Sequence, residues 1–229
     1  MGEAYRPTPI EALGTSARAT FIVKTYNHLF GAIILFTLME VVYFKTGLAE
    51  PMARAMLGVN WLFVLGGFML VGWMATRFAH TSSSMATQYL ALTAFVAAES
   101  IIFVPLLYIA NHYAPGAIES AAAVTLVAFA GLTGIAFWTR KDFSFLGGLL
   151  RWGGILALVA IVAGVIFGFQ MGTWFSVAMV GFAGAAILYD TSNIMRSFPE
   201  DRYVSAALQL FASVALMFWY VLRIFTSRN

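Results

Sequence analysis

Apolar residues along the chain gather into long runs with brief polar breaks, at 26–46, 59–79, 86–110, 117–138, 148–169, 174–196 and 203–225. A run of about 20 residues at 1.5 Å per residue crosses roughly 30 Å of hydrocarbon. The runs are too long and too uniformly apolar for barrel strands, and a bilayer offers their backbone groups no water. The pattern therefore predicts an all-α polytopic membrane protein, a seven-transmembrane-helix bundle. Residues 1–24 read as a cytoplasmic amino-terminal tail and 25–226 as the transmembrane domain.

Composition narrows this further. The chain is 61% hydrophobic and 10% charged over 229 residues, against about 45–50% and 25% in soluble domains. Seven spans leave no room for a separate soluble domain. The first two dozen residues are polar and carry Pro7 and Pro9. They do not read as a cleavable secretory signal, so the first run is expected to remain as a span. Ile10, Leu13, Ala17 and Phe21 share a helical spacing that suits the membrane surface, with an unstructured tail as the alternative. Cysteine is absent, which excludes disulfides, thiolate metal sites and cysteine nucleophiles.

Charge placement gives an orientation. With the amino terminus cytoplasmic, the inner segments hold Arg6, Arg18, Lys24, Arg77, Arg140, Lys141, Arg151, Arg196 and Arg202, and the outer ones Lys45, Arg54, Arg223 and Arg228. That asymmetry follows the positive-inside rule. It accounts for the net charge of +3 without a nucleic-acid partner. Small-residue pairs such as Gly131 and Gly134, Gly164 and Gly168, and Gly181 and Gly184 let helices approach closely. Packing within one bundle is the simpler use for them, so the chain reads as a monomer. Pro105, inside the third span, deprives the Ile101 carbonyl of its helical donor.

The acids inside spans carry the candidate chemistry, because a charge at mid-membrane costs at least about 2.5–3.5 kcal/mol. Asp190 lies six residues before Arg196, about 9 Å below the inner end of the sixth span. Its helical stripe reads Met179, Ala183, Ala186, Asp190, Asn193, Ser197; the seventh span offers Ser205, Gln209, Ser213, Leu216, Tyr220, Arg223. The two stripes predict that these helices face one another with Asp190 near Gln209 or Ser213, across a polar, hydrated gap. Static hydrogen bonding between the two helices is the alternative. Glu40 and Glu99 share a depth of about 20 Å from the inner face. They fit either successive stops for a cation or static pairing with Lys45 or a tyrosine hydroxyl. The three histidines, His28, His80 and His112, fall at opposite surfaces, so they do not suit a zinc hydrolase. No enzymatic activity and no cofactor are expected.

Several segments resemble one family. Thr139-Arg140-Lys141-Asp142-Phe143-Ser144-Phe145-Leu146-Gly147-Gly148, Ile187-Leu188-Tyr189-Asp190-Thr191-Ser192-Asn193-Ile194, Ala207-Leu208-Gln209-Leu210-Phe211-Ala212-Ser213, and Ala98-Glu99-Ser100 before Pro105-Leu106 are similar to the transmembrane Bax inhibitor motif family, in its bacterial branch. The resemblance implies a seven-helix fold with the last helix central, and a pH-sensitive calcium leak. It implies that Asp190 matches the first acid of a paired-aspartate sensor, while Ser213 stands where the second acid belongs. A coupled acid pair shares a proton; an acid beside a serine does not, so that mechanism does not carry over intact. Arg77 is the nearest candidate for the family's basic latch. Some bacterial relatives with this departure are partners of a membrane-anchored quality-control protease.

The expectation is a pH-modulated passive calcium leak in a bacterial inner membrane. Asp190 would be a weak, transient calcium or proton site, Ser213, Gln209 and Asn193 supporting ligands, Glu99 a deeper stop and Arg77 a counter-charge. The alternative is a regulator that binds and restrains a membrane-anchored protease without conducting ions.

Overall fold

The computed structural model describes residues 8–82 and 84–227. Arg6, Pro7 and Arg228, used above, lie outside the described residues. After a short turn at Ile10–Ala12 come eight helices among the described residues: α1 Thr15–Lys45, α2 Ala49–Leu57, α3 Trp61–Thr81, α4 Met85–Tyr113, α5 Ala117–Thr139, α6 Leu146–Phe167, α7 Thr173–Arg196 and α8 Tyr203–Thr226. All but α2 are long and apolar enough to cross a membrane. The chain is an all-α polytopic membrane bundle.

Burial sorts these helices into two kinds. α8 packs against α1, α3, α4, α5 and α7, and its buried residues run all round, from Val204 and Ser205 to Val221 and Leu222. α4 is similarly enclosed, and it continues through Pro105. α6, by contrast, buries only Gly164. Its exposed Leu149, Trp152, Leu156 and Ile166 suit contact with lipid tails, which are as apolar as the side chains themselves.

α6 lies close on α7 where glycine permits it. A Cβ on Gly147 would sit 3.0 Å from the Tyr189 ring, and one on Gly153 would sit 2.9 Å from the Phe182 ring. The Thr139–Gly148 segment fixes the entry to α6. Arg140, in the left-handed conformation at φ 49°, ends α5. The Arg140 carbonyl accepts from the Arg196 guanidinium at 2.5 Å. The Phe143 N–H donates to the Ser192 hydroxyl at 3.1 Å, and the Ser144 N–H to Asp142 Oδ1 at 2.8 Å. That last bond holds the exposed Asp142 carboxyl below its ordinary range.

The amino-terminal segment departs from both expectations for it. α1 starts at Thr15, well ahead of the apolar run, and Ile10 and Phe21 are buried instead of lying on a membrane surface. The Ile10 N–H donates to the Phe198 carbonyl at 2.9 Å, and the Phe198 ring sits beside those of Phe21 and His80. Ile10 has an apolar hollow between α1 and the α7–α8 connection to fill, which outweighs the weaker gain at an interface. α2 was not anticipated. It is too short to announce itself among polar residues, and it buries Ala49 and Ala53 against Val104 of α4.

Candidate functional site

The α7–α8 hairpin holds the site. Ala183, Gly184 and Ile187 lie buried on α7, and Ala206, Ala207 and Leu210 on α8, so the two backbones run close enough for short polar side chains to meet. Asp190, 3% exposed, points at α8. Gln209 Nε2 donates to its Oδ1 at 2.6 Å, and the Ser213 hydroxyl donates to its Oδ2 at 2.5 Å. One turn separates the two donors along α8, so each serves one carboxylate oxygen, and short charge-assisted bonds of this kind are the strong ones. The predicted meeting of Asp190 with Gln209 and Ser213 is therefore present as direct contact. The hydrated gap is not: the small side chains around the acid let the helices close on it.

The remaining predicted residues do not join this clamp. Asn193, half-buried one turn along α7, spends its backbone carbonyl on the Ser197 and Phe198 N–H groups at 2.8 and 3.2 Å and does not hydrogen-bond Asp190. Arg77 is exposed and lies over the Trp73 ring, 5.4 Å from its centroid. α3, which carries it, does not pack against α7. As a counter-charge to Asp190 it is misplaced, because an arginine at a helix end can turn to either face and here the exposed aromatic face holds it. Among the described residues the buried arginine is Arg202, which donates to the Ser82 carbonyl.

Glu99 is buried on α4 and lines a cavity of about 1060 Å³ between α3, α4, α6, α7 and α8. Arg223, Gln170 and Tyr220 lie on the same lining, which does not include Asp190. Glu40 lines a separate cavity. The two glutamates are therefore not successive stops on one path, and neither Lys45 nor a tyrosine pairs with Glu40 among the described residues. His28 bonds Tyr89, His80 bonds Ser205, and His112 bonds its own helix at Tyr108. Among the described residues no group of three His, Cys, Asp or Glu is placed to hold a metal ion.

A neighbouring polar cluster had no sequence signal. The Tyr26 hydroxyl of α1 lies near Thr133 of α5 and Thr191 of α7. All three hydroxyls are buried without a bonded partner among the described residues. Each comes from a different helix as a single residue, so no periodic stripe marks them.

A family model described as Bax1-I, inhibitor of apoptosis-promoting Bax1, matches residues 18–229. The chain belongs to this family. Among its relatives, a Pseudomonas aeruginosa protein is 37% identical over 111 residues, covering 47% of this chain and 49% of its own length. Protein LIFEGUARD 4 of Arabidopsis thaliana is 34% identical over 116 residues, or 47% of this chain and 46% of that one. Modulator of FtsH protease YccA of Escherichia coli is 35% identical over 94 residues, or 40% of this chain and 42% of that one. The chain spans about half the length of the relatives it matches.

Proposed function

We propose that this Bax1-I protein is a regulator of a membrane-anchored protease in a bacterial inner membrane, with its amino terminus cytoplasmic and α8 as the central element. The observation that carries the reading is the direct clamp of Asp190 by Gln209 and Ser213. A carboxylate whose two oxygens are both taken by neighbouring donors fixes the packing of α7 on α8, and it offers no ready place to an ion. The likeness to a protein named as a modulator of FtsH protease supports the choice of partner. In this reading the clamp holds the hairpin in the one shape the protease engages.

A second reading, a passive calcium or proton leak in its closed state, is favoured by one feature. The cavity of about 1060 Å³ penetrates the bundle as far as a buried carboxylate, Glu99, and intramembrane acids mark ion pathways in many membrane proteins. Opening would require the Asp190 clamp to part. Calcium takes 6–8 oxygen ligands, so a site of Asp190, Ser213 and Gln209 would hold it only briefly.

Reconstitution separates the two. The pure chain in liposomes, loaded with a calcium indicator and taken through a pH series, is expected to remain tight. Co-reconstituted with a membrane-anchored ATP-dependent protease, it is expected to slow degradation of a membrane substrate. Calcium entry with the pure chain that responds to pH and is altered by Asp190→Asn would reverse the order of the readings.

A further inference from the structure

The backbones of α1 and α5 stay apart; the Tyr26 ring bridges them to Phe129 and Phe137, and farther along, at Glu40 and Thr125, a cavity of about 420 Å³ opens between them, floored by α4 and α8. Its lining carries one acid, Glu40, only 7% exposed. Both Glu40 carboxylate oxygens are buried with no hydrogen-bond or ion-pair partner among the described residues. The Thr125 hydroxyl on the same lining is also buried and unpaired. Phe36, Phe44, Phe211 and Phe218 supply much of the remaining wall.

An unpaired buried carboxylate is one of the costliest arrangements a protein can hold, and in membranes such groups find a partner or mark a site. Aromatic faces attract cations. The volume falls in the range of about 300–1,000 Å³ typical of small-molecule pockets. Val41 and Leu126, both exposed, stand on the lining toward the lipid side, so an entrant arrives from hydrocarbon. No lysine, arginine or histidine lines the cavity. The phosphate of a phospholipid headgroup would go unpaired there, which leaves a free amine.

We propose that this cavity is a binding site for a lipophilic monocation, an ammonium on an apolar body, with Glu40 as its counter-charge and the phenylalanine rings as its walls. The site is independent of the clamp at Asp190 and of the protease reading. The ammonium sits against the Glu40 oxygens and donates an N–H hydrogen bond to the Thr125 hydroxyl oxygen, and the apolar body fills the cleft between α1 and α5.

The test is a calorimetric titration of the full chain in neutral maltoside micelles with phenylbutylamine, which is charged near neutral pH, and with pentylbenzene, its uncharged isostere. The native chain is expected to show one saturable site for the amine above partitioning into the micelle. Glu40→Gln is expected to weaken it by about tenfold or more, with Glu119→Gln, an exposed acid on α5, leaving it unchanged. Ala122→Trp, which fills the cleft while keeping Glu40, is expected to abolish it. Absence of a saturable site in the native chain, amine binding that survives Glu40→Gln or disappears with Glu99→Gln instead, or pentylbenzene binding as tightly as the amine would each overturn the proposal.

Discussion

The Ser213 hydroxyl donates to Oδ2 of Asp190 at 2.5 Å, joining α8 to α7 at a point where the chain carries a single acid. Gln209 holds the other oxygen, so the acid works as an acceptor for two donors from one neighbouring helix. An acid in this position needs no second carboxylate, and the hairpin gains a polar lock within an apolar interface.

The lock has a measurable energy. Asp190→Ala strands the buried Ser213 hydroxyl and the half-buried Gln209 amide and is expected to destabilise the bundle by about 1–3 kcal/mol. A double-mutant cycle with Ser213→Ala is expected to return a coupling of about 1 kcal/mol, between the average of about 0.6 and the maximum of about 1.7 kcal/mol found for interhelical hydrogen bonds in membranes. Reversible unfolding in mixed micelles reads both; a coupling near zero would mean that the short contact contributes nothing.

Gly147 tests the seat of α6. Its missing Cβ leaves the Tyr189 ring 3.0 Å of room, so Gly147→Val overpacks the contact and is expected to cost about 1–3 kcal/mol. Tyr189→Ala on the same background is expected to recover most of that loss, measured by the same unfolding assay. Loss without recovery would place the strain elsewhere.

The turn into α6 responds to acid with a definite sign. The Asp142 carboxyl is held below its ordinary value of 3.8 by the Ser144 N–H. A depressed folded-state value contributes stability that is fully present above 3.8 and is lost as the pH falls through the lower folded value. Amide hydrogen exchange at Ser144, corrected for intrinsic rates, is expected to lose protection below that point in the native chain. In Asp142→Ala protection is expected to be low at every pH.

Ile10 gives a test of the amino-terminal seal. The chain has no cysteine, so Ile10→Cys introduces a single reporter thiol. It is expected to react slowly with a maleimide, because Ile10 is fully buried and tied to the Phe198 carbonyl. Phe198→Ala on that background is expected to speed labelling at least several-fold; equal rates would show that the segment is not held by that ring.

How far the sequence carries the structure depends on which coordinate is asked for. Depth in the membrane follows from counting residues along an apolar run, and the seven spans lie where the runs predict. Two consecutive spans joined by a short connection are commonly antiparallel neighbours, as α7 and α8 are although α5 and α6 are not, and the polar stripes of α7 and α8 place Asp190 opposite Gln209 and Ser213. Rotation and lateral position follow from no such count. Glu40 and Glu99 face different cavities, and Arg77 turns to the Trp73 ring, because these choices depend on which helices lie alongside. Residues that act singly, such as Tyr26 and Thr133, leave no periodicity to read. The nine residues of α2 are too few for a helical stripe to stand out.

The most direct measurement is the rate at which a membrane-anchored ATP-dependent protease, reconstituted in liposomes, degrades a membrane-protein substrate with and without this chain. The account predicts slower degradation with the native chain, and a smaller effect when Asp190→Ala releases the α7–α8 hairpin. An unchanged rate at saturating chain, together with pH-dependent calcium entry through the chain alone, would contradict it.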